Sequence, residues 1–507
     1  MYMNKKLVCL LLVILLLLNG CAGAVPDPSG GSKQCAQHTD ADDNGSCDVC
    51  YSSVYVYFDF YSINDLHGKL ADADTHPGVD ELTTYLKNAR NENKNSVFLS
   101  AGDMWQGSPE SNLTSGLIMT EWMNEMGFVG MSLGNHEFDW GTEVIRENAE
   151  AAEFPLLAIN VYDRETNKRV DYCEASVVVE GDGVQVGIIG AIGDCYSSIA
   201  VDKSKDVYFK TGSDLTKLVK AESDRLRERG VDYIVYAIHD GYESTRNGAV
   251  TSVSKGDISY YYDTSLSDGY VDLVFEGHTH QGYRLQDEHG VYHLQNRGDN
   301  KGGISHVRVA INSANGSSSV RNVELVATSK YEKLPDDPII EELLNKYEDQ
   351  ISTADRVVGY NSTYRGRDTM RQLVADMYYQ AGIEKWGDEY DIVLAGGFVS
   401  IRSPSYLDVG EVTYGDLLAL FPFNNELTLC SVRGSDLINK FIETNNDNYF
   451  ICGYDNESID WNETYYIVVD TYSAYYAYNR LTVVEEYGAD IYARDLLADY
   501  IGSGGLS

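Results

Sequence analysis

The chain has 507 residues, enough for two domains or at most three, and its 43% hydrophobic and 23% charged residues supply a sizeable core and argue against wholesale disorder. Lys and Arg number 39 against 78 Asp and Glu, a formal charge of −39. That balance weighs against a nucleic-acid polymer as partner, which needs basic patches to release counterions, and against a basic surface held on anionic lipid. The 39 Tyr, three times the 13 Phe, suit pleated, half-buried strand surfaces whose polar tips meet water.

In chain order, Lys5 and Lys6 precede an unbroken apolar run from Leu7 to Leu18. The run is shorter than the roughly 20 residues needed to cross a bilayer, and its basic-then-apolar order is that of an export signal over residues 1–20. It closes on Leu18-Asn19-Gly20-Cys21, which resembles the lipobox of bacterial lipoproteins. The resemblance implies that Cys21 is diacylated and becomes the mature N-terminus. The chain would then be exported and lipid-anchored to the outer face of a bacterial cell membrane. The alternative is a plain secretory signal with an incidental cysteine.

Residues 21–53 read as a tether carrying a Cys/His/Asp-rich motif. Ala22 to Ser32 is rich in Pro, Gly and Ser without periodicity. Next come Cys35-Ala-Gln-His38 and Cys47-Asp-Val-Cys50, with Asp40-x-Asp42-x-Asn44-Gly45 between them. The spacing fits a structural Zn knuckle, the D-x-D-x-N-G run fits the start of a Ca loop (with Tyr51 where the bidentate Glu belongs), and a solvated linker with one disulfide is the third reading. Beyond Cys9 and Cys21 seven cysteines remain, Cys35, Cys47, Cys50, Cys173, Cys195, Cys430 and Cys452. An odd number leaves one unpaired within the monomer or bound to metal.

From Val54, strand-length apolar runs alternate with helical stretches such as Leu82–Arg90 and Leu215–Arg229, which predicts an α/β layer fold. Gly181-Asp182-Gly183 is a hairpin turn; it lacks the spacing of a nucleotide loop. The chain becomes charged and helical around Ile339–Glu348, as a connector would, and a second α/β segment follows. The predicted boundaries are 54–328, a linker helix within 329–356, and 357–507.

Five strand-like runs in the first segment end in residues able to bind metal. Tyr55–Ile63 ends in Asn64-Asp65-Leu66-His67-Gly68, and Ser96–Ala101 in Gly102-Asp103. Phe128–Leu133 ends in Gly134-Asn135-His136-Glu137-Phe138-Asp139, Tyr233–Ile238 in His239-Asp240-Gly241, and Leu273–Glu276 in Gly277-His278-Thr279-His280. Each motif alone suits a surface turn or a satisfied core histidine. Ligands bind at the carboxyl ends of strands in α/β sheets, so the five tips are expected to converge. Histidine is scarce, 10 in the chain, and five sit in this set. Strand packing requires no histidine there, so the concentration points to a metal site. Carboxylate and amide oxygens with imidazoles suit Zn, Mn or Fe.

The order DxH, GD, GNHEFD, H, GHTH resembles that of the calcineurin-like metallophosphoesterases, in particular the two-domain exported 5′-nucleotidase and UDP-sugar hydrolase family. The likeness covers nearly all of Val54–Ser507. It implies a four-layer β-sandwich-like catalytic domain flanked by helices, and a C-terminal α/β substrate-binding domain. It places Asp65, His67, Asp103 and His280 on one divalent metal ion and Asp103, Asn135, His239 and His278 on a second, with Asp103 bridging. His136 is the implied catalytic residue, protonating the leaving oxygen or stabilising charge on the phosphoryl group, and Asp139 orients it. Glu137 is read as a helix-start acid without chemistry.

In the second segment Gly396-Gly397-Phe398-Val399-Ser400-Ile401-Arg402 resembles the family's Asn-Gly-Gly-x-Ile-Arg loop, and Leu420-Phe421-Pro422-Phe423 its Leu-Pro-Phe motif. The resemblance implies that Arg402 grips the substrate's phosphate and Phe423 stacks on the base, with Arg365 and Arg367 as further phosphate-facing arginines. Two departures bear on specificity. Ala395 replaces the loop's Asn, and the segment that holds the nucleoside reads Asp470-Thr-Tyr472-Ser-Ala-Tyr475-Tyr476-Ala-Tyr478-Asn479. Tyr472 is the expected second stacking plate, and Tyr478 roughly occupies the place of the ribose-binding Asp. The expected activity is metal-dependent hydrolysis of phosphoesters of extracellular nucleotides. The alternatives are a 2′,3′-cyclic nucleotide phosphodiesterase, a UDP-sugar hydrolase, or a non-catalytic lipoprotein receptor or adhesin.

Overall fold

A strand buried on both faces loses the alternation of a surface strand and reads as a continuous apolar run. Tyr233–His239 is such a run, every residue of it buried. The computed structural model describes residues 38–42, 44–72, 78–201, 203–242, 264–298, 303–398, 401–402, 405–442, 449–453, 459–477, 480–488 and 491–506. The signal segment, Cys21, Cys35 and Tyr478 lie outside the described residues. Met1–Val54 and Tyr55–Ser507 form two separate units.

Within the larger unit, one six-stranded sheet runs in the order Ser318–Val326, Ile304–Asn312, Tyr55–Ile63, Ser96–Ser100, Gly130–Ser132, Leu156–Leu157. A second runs Tyr283–Gln286, Tyr292–Gln295, Leu273–Glu276, Tyr233–His239, Val184–Ile192, Ser176–Gly181. Phe58, Phe60, Val97 and Leu99 of the first interdigitate with Val186, Ile188, Val235 and Phe275 of the second, forming the middle of the sandwich. The outer face of the first sheet is covered by Asp80–Glu92 and Leu117–Met126 through Leu82, Leu86, Trp122 and Met123. Gly212–Glu228 covers the second through Leu215, Val219 and Leu226. The result is the expected helix–sheet–sheet–helix layering. Tyr55–Ile63, Ser96–Ser100 and Gly130–Ser132 are mutually parallel, as are Tyr233–His239 and Leu273–Glu276, so their carboxyl ends open on one edge of the sandwich.

The predicted connector helix spans Pro338–Lys346 and is not free-standing. Ile340, Leu343 and Tyr347 join the cluster around Trp122, and Glu121 accepts bonds from Lys346 Nζ (2.6 Å) and the Tyr347 hydroxyl (2.7 Å). Beyond it a five-stranded mixed sheet, ordered Tyr449–Cys452, Ile392–Phe398, Thr464–Asp470, Leu427–Arg433, Thr482–Glu486, packs against the helix Arg367–Trp386. No helix among the described residues is long and apolar enough to cross a membrane.

One buried charge ties the central strand of the first sheet to its neighbours. Asp59 accepts bonds from His306 Nε2 (2.8 Å), Arg308 Nη2 (2.8 Å) and Asn93 Nδ2 (2.7 Å). Burial alone would raise its pKa, but the bonds from His306, Asn93 and Arg308 outweigh it and the net shift is downward from 3.8. A depressed folded-state value contributes stability above the ordinary Asp range, and that contribution is lost as pH falls through the folded value. Asp59→Asn is therefore expected to cost about 2 kcal/mol at neutral pH, the scale of hydrogen bonds to a charged group. In urea titrations the gap between wild type and variant should shrink as the solution is taken below ~4, the ordinary Asp pKa.

Candidate active site

Each of the five strands ends in a turn whose geometry is tight enough to select its residues. Left-handed backbone is uncommon outside glycine and concentrates where function over-determines it. Among the described residues ten non-glycines have positive φ, and five of them are Asp65, His67, Asp103, His278 and His280. Glycine fits where side chains crowd the backbone. A Cβ on Gly102 (φ +94°) would lie 2.6 Å from His239 Nδ1, and one on Gly134 would meet the Asp103 carboxylate.

The turns bring the predicted side chains together. His67 Nδ1–H donates to Gln106 O (2.9 Å) and His239 Nδ1–H to Ala101 O (2.6 Å), which aims both Nε2 atoms inward. Burial lowers the His239 pKa but Asp103 and Asp65 raise it to about 10, so a bound cation would take the place of its Nε2 proton. His67 Nε2 lies 3.2 Å from His280 Nε2, and His280 Nε2 lies 3.4 Å from Asp65 Oδ1. His239 Nε2 lies 3.0 Å from Asp103 Oδ2 and 4.0 Å from Asp65 Oδ1. Asn135 Oδ1 faces His278 Nδ1 at 3.0 Å. Asp65, His67 and His280 form one candidate metal group, and Asp65, Asp103 and His239 another.

These residues fit divalent cations. Asp65 and Asp103 are fully buried, and the groups set around them are imidazoles. Burial pushes the carboxylates up, but neighbouring His280 and His239 bring Asp65 below its usual range, and His239 with His136 takes Asp103 well below. Burial holds His67 down at about 3 and His278 at about 4, so both rings are neutral, as ligands must be. Backbone carbonyls that fix a histidine tautomer from behind are the usual support of a metal-binding imidazole.

His136 stands beside this cluster and opens on a cavity. Its Nδ1 is 2.8 Å from Asp139 Oδ2, and its Nε2 is 2.8 Å from Arg402 Nη2. With Nδ1–H donated to Asp139, Nε2 is the acceptor that the Arg402 N–H requires. Burial would lower the His136 pKa, yet Asp139 and Asp103 raise it overall. The cavity, about 520 Å³, is lined by His136, Asn135, Arg402, Phe423, Tyr472 and Arg494, among others. Its size falls in the range of small-molecule sites. The Arg402 guanidinium lies over the Phe423 ring (5.3 Å), whose centroid is 5.9 Å from that of His136. Phe423 is thus a partly exposed wall of the cavity and not a core aromatic. Tyr472, 38% exposed, lines the same cavity.

Arg365 and Arg367 are not brought there. Arg365 spends its guanidinium on Leu506 O (2.8 Å) and Asn361 Oδ1 (3.1 Å), tying down the chain's last helical turn. Arg367 is exposed at the start of the Arg367–Trp386 helix. Three residues near the site escaped sequence reasoning. Glu137 does stand in the first turn of the short helix His136–Phe138, but its fully buried carboxylate also accepts N–H groups of Asp103 (2.9 Å), Gly134 (2.7 Å), Met104 (2.9 Å) and Trp105 (3.3 Å), clamping the two turns together. Arg494 bonds Phe423 O (2.8 Å) and Asn424 Oδ1 (2.6 Å), holding the aromatic wall. Cys195 donates Sγ–H to His239 O (3.0 Å), and burial pushes its thiol far up, so it is a protonated neighbour of the cluster.

Comparison with known proteins gives a consistent picture. Residues 60–282 match the family model described as calcineurin-like phosphoesterase, and residues 350–451 that of the 5′-nucleotidase C-terminal domain. The chain is 27% identical over 416 residues to Endonuclease YhcR of Bacillus subtilis, covering 74% of this chain and 32% of that protein. It is 26% identical over 413 residues to Protein UshA of Yersinia enterocolitica, covering 73% of this chain and 72% of that one. The crystal structure of a 5′-nucleotidase precursor from Thermus thermophilus superposes with a TM-score of 0.67 at 18% identity, over 88% of this chain and 96% of that one, a likeness of fold.

Proposed function

Because the chain is a calcineurin-like phosphoesterase joined to a 5′-nucleotidase C-terminal domain, we propose that it hydrolyses phosphate esters of nucleotides outside the cell. The observation that carries the reading is the convergence of Asp65, His67, Asp103, Asn135, His239, His278 and His280 beside a cavity walled by His136 and Arg402. In this reading residues 54–328 perform the chemistry and 357–507 hold the substrate. Two divalent ions, when bound by the seven residues, supply Lewis-acid polarisation of the phosphoryl oxygens and an activated water.

The chain's own groups do the rest. Arg402 binds the phosphoryl oxygens, because a guanidinium fork matches them in pairs. An entering phosphate separates Arg402 from His136 and takes over both contacts. Asp139 holds Nδ1–H, and once Arg402 has moved to the phosphate the His136 ring, whose pKa is raised, takes up a solvent proton at Nε2. Nε2–H then faces the ester and delivers that proton to the leaving oxygen. Phe423 and Tyr472 offer flat faces to the base. The chain's −39 charge repels anionic substrates at long range, so capture depends on the local cationic patch.

The direct experiment is phosphate release from a panel of AMP, a 2′,3′-cyclic nucleotide, a UDP-sugar and a simple aryl phosphate, with Mn²⁺ and with EDTA. Release from AMP that EDTA abolishes is expected; no release from any ester would return the protein to the receptor class. For Arg402→Ala, the loss of charged hydrogen bonds worth about 1.5–3 kcal/mol predicts a fall in kcat/KM of roughly 10- to 150-fold. Arg433→Ala is the control, since the exposed Arg433 bonds the Asn462 side chain (3.1 Å) and lines none of the cavity described above, and should leave kcat/KM unchanged. Equal losses in the two variants would remove Arg402 from substrate binding.

Export and anchoring through Cys21 complete the reading and rest on the sequence from Lys5 to Cys21. Metabolic labelling with a tritiated fatty acid should mark the wild-type chain and not Cys21→Ala, which is expected to be released into the medium or retained with an uncleaved signal. Equal labelling of both would end the lipoprotein assignment.

A further inference from the structure

The described residues of the smaller unit, 38–42 and 44–54, have almost nothing to bury. Among its described residues only Cys47 and Val54 are buried apolar side chains, and a segment with so little core needs a staple to stay folded. Its side chains nevertheless converge. His38, Cys47 and Cys50 offer ligand atoms that all lie within 4.8 Å of one another. Cys50 Sγ stands 3.5 Å from His38 Nδ1. Across a tetrahedral zinc with Zn–S of about 2.3 Å and Zn–N of about 2.0 Å, sulfur and nitrogen are separated by about 3.5 Å.

The backbone is arranged for thiolates as well. Residues 46–53 turn back on themselves through Cys47 N–H to Ser52 O (2.9 Å), Tyr51 N–H to Cys47 O (2.9 Å) and a bridge between Ser46 and Ser53, with Tyr51 in left-handed backbone at the corner. This wraps the Cys-x-x-Cys loop around its own sulfurs. Backbone N–H groups of Cys50 and Thr39 point at Cys47 Sγ. Donors trained on a sulfur in this way stabilise the anionic form that binds a metal.

The carboxylates of Asp40, Asp42 and Asp48 also lie within 4.8 Å of one another, but each is engaged within the turn. Asp40 accepts Asn44 N–H (2.9 Å) and Gly45 N–H (3.0 Å), Asp48 accepts Ala41 N–H (2.9 Å), and Asp42 accepts the Asn44 side-chain amide (2.8 Å). These carboxylates shape the turn that carries His38 towards the cysteines.

We propose that His38, Cys47 and Cys50 bind a structural zinc ion that holds residues 38–54 folded. Its ligands all belong to the smaller unit and none is among the residues assigned to the phosphoesterase centre. The experiment uses the full chain and the double variant Cys47→Ser/Cys50→Ser, purified without chelator, with zinc measured by elemental analysis. Loss of one zinc equivalent in the variant, with AMP hydrolysis unchanged, is the expected result. A second readout separates this zinc from any at the active centre. Cadmium titration of the metal-stripped wild type should raise a thiolate-to-metal absorption band that the variant lacks, and bound cadmium should protect Cys47 and Cys50 from iodoacetamide. Equal zinc content in the two proteins would overturn the proposal. So would a native mass showing these two cysteines joined as a disulfide, or protection of the thiols by calcium in place of zinc or cadmium.

Discussion

Asp103→Asn is expected to empty the centre of metal and to lower turnover by about a thousandfold or more. Its carboxylate belongs to the candidate group that also holds His239 and Asp65, the residue the two groups share. Oδ2 lies 3.0 Å from His239 Nε2, while Oδ1 accepts the His136 N–H at 2.9 Å. An amide in its place keeps the shape but removes an anion from a fully buried cluster. The polarisation a bound cation supplies amounts to several kcal/mol of transition-state stabilisation, and each 1.36 kcal/mol is a factor of ten. Elemental analysis, turnover and melting temperature should move together. Ligand binding to the native state alone stabilises it by about 2.7 kcal/mol at a hundred times the dissociation constant, so wild type should melt higher when Mn²⁺ is added and the variant should not. A variant that keeps full metal content and full response to Mn²⁺ would remove Asp103 from the ligand set.

The residues of this cluster were legible in the sequence because their types are wrong for where they stand. Histidine and aspartate directly after apolar strand runs answer to no packing need, and five such tips on parallel strands open on one edge. Strand lengths were read less well; the third run, expected over Phe128–Leu133, is regular strand only over Gly130–Ser132, with Val129 N–H and Leu133 N–H still bonding Phe98 O (2.9 Å) and Leu157 O (3.2 Å). The clamp made by Glu137 was hidden for a different reason. Three of its partners are backbone N–H groups of a turn more than thirty residues upstream, the fourth is that of Gly134, and a carboxylate that bonds only to backbone leaves no partner side chain to find. Arg365 and Arg494 show the same limit in opposite directions. Both are arginines in the second segment, and spacing cannot tell that one is consumed by Leu506 O while the other braces Phe423. The connector was read correctly as helical, but that Glu121 anchors it through Lys346 and Tyr347 depends on a pairing between distant surfaces.

His136→Ala is expected to leave metal content and KM close to wild type and to lower kcat on nucleotides by about 10²- to 10⁴-fold, the usual range for a positioned proton donor. The imidazole is separate from the candidate metal groups, so its removal should not empty them. Two roles fit its place in the cavity, and they differ in what they predict. If Nε2 delivers a proton to the departing oxygen, the penalty depends on how badly that oxygen needs one. It should be severe for a nucleoside alcohol and slight for p-nitrophenol, which departs as a stable anion. If the ring only steadies charge on the phosphoryl group, both esters should suffer alike. Asp139→Asn should reproduce the leaving-group dependence at smaller amplitude, since the Nδ1 contact at 2.8 Å sets which nitrogen faces the ester. The double variant His136→Ala/Asp139→Asn should be no worse than His136→Ala alone, because an orienting partner has nothing left to orient. Additive losses would mean that Asp139 acts elsewhere in the site, and a loss of metal in His136→Ala would make the ring part of the metal scaffold and not the proton donor.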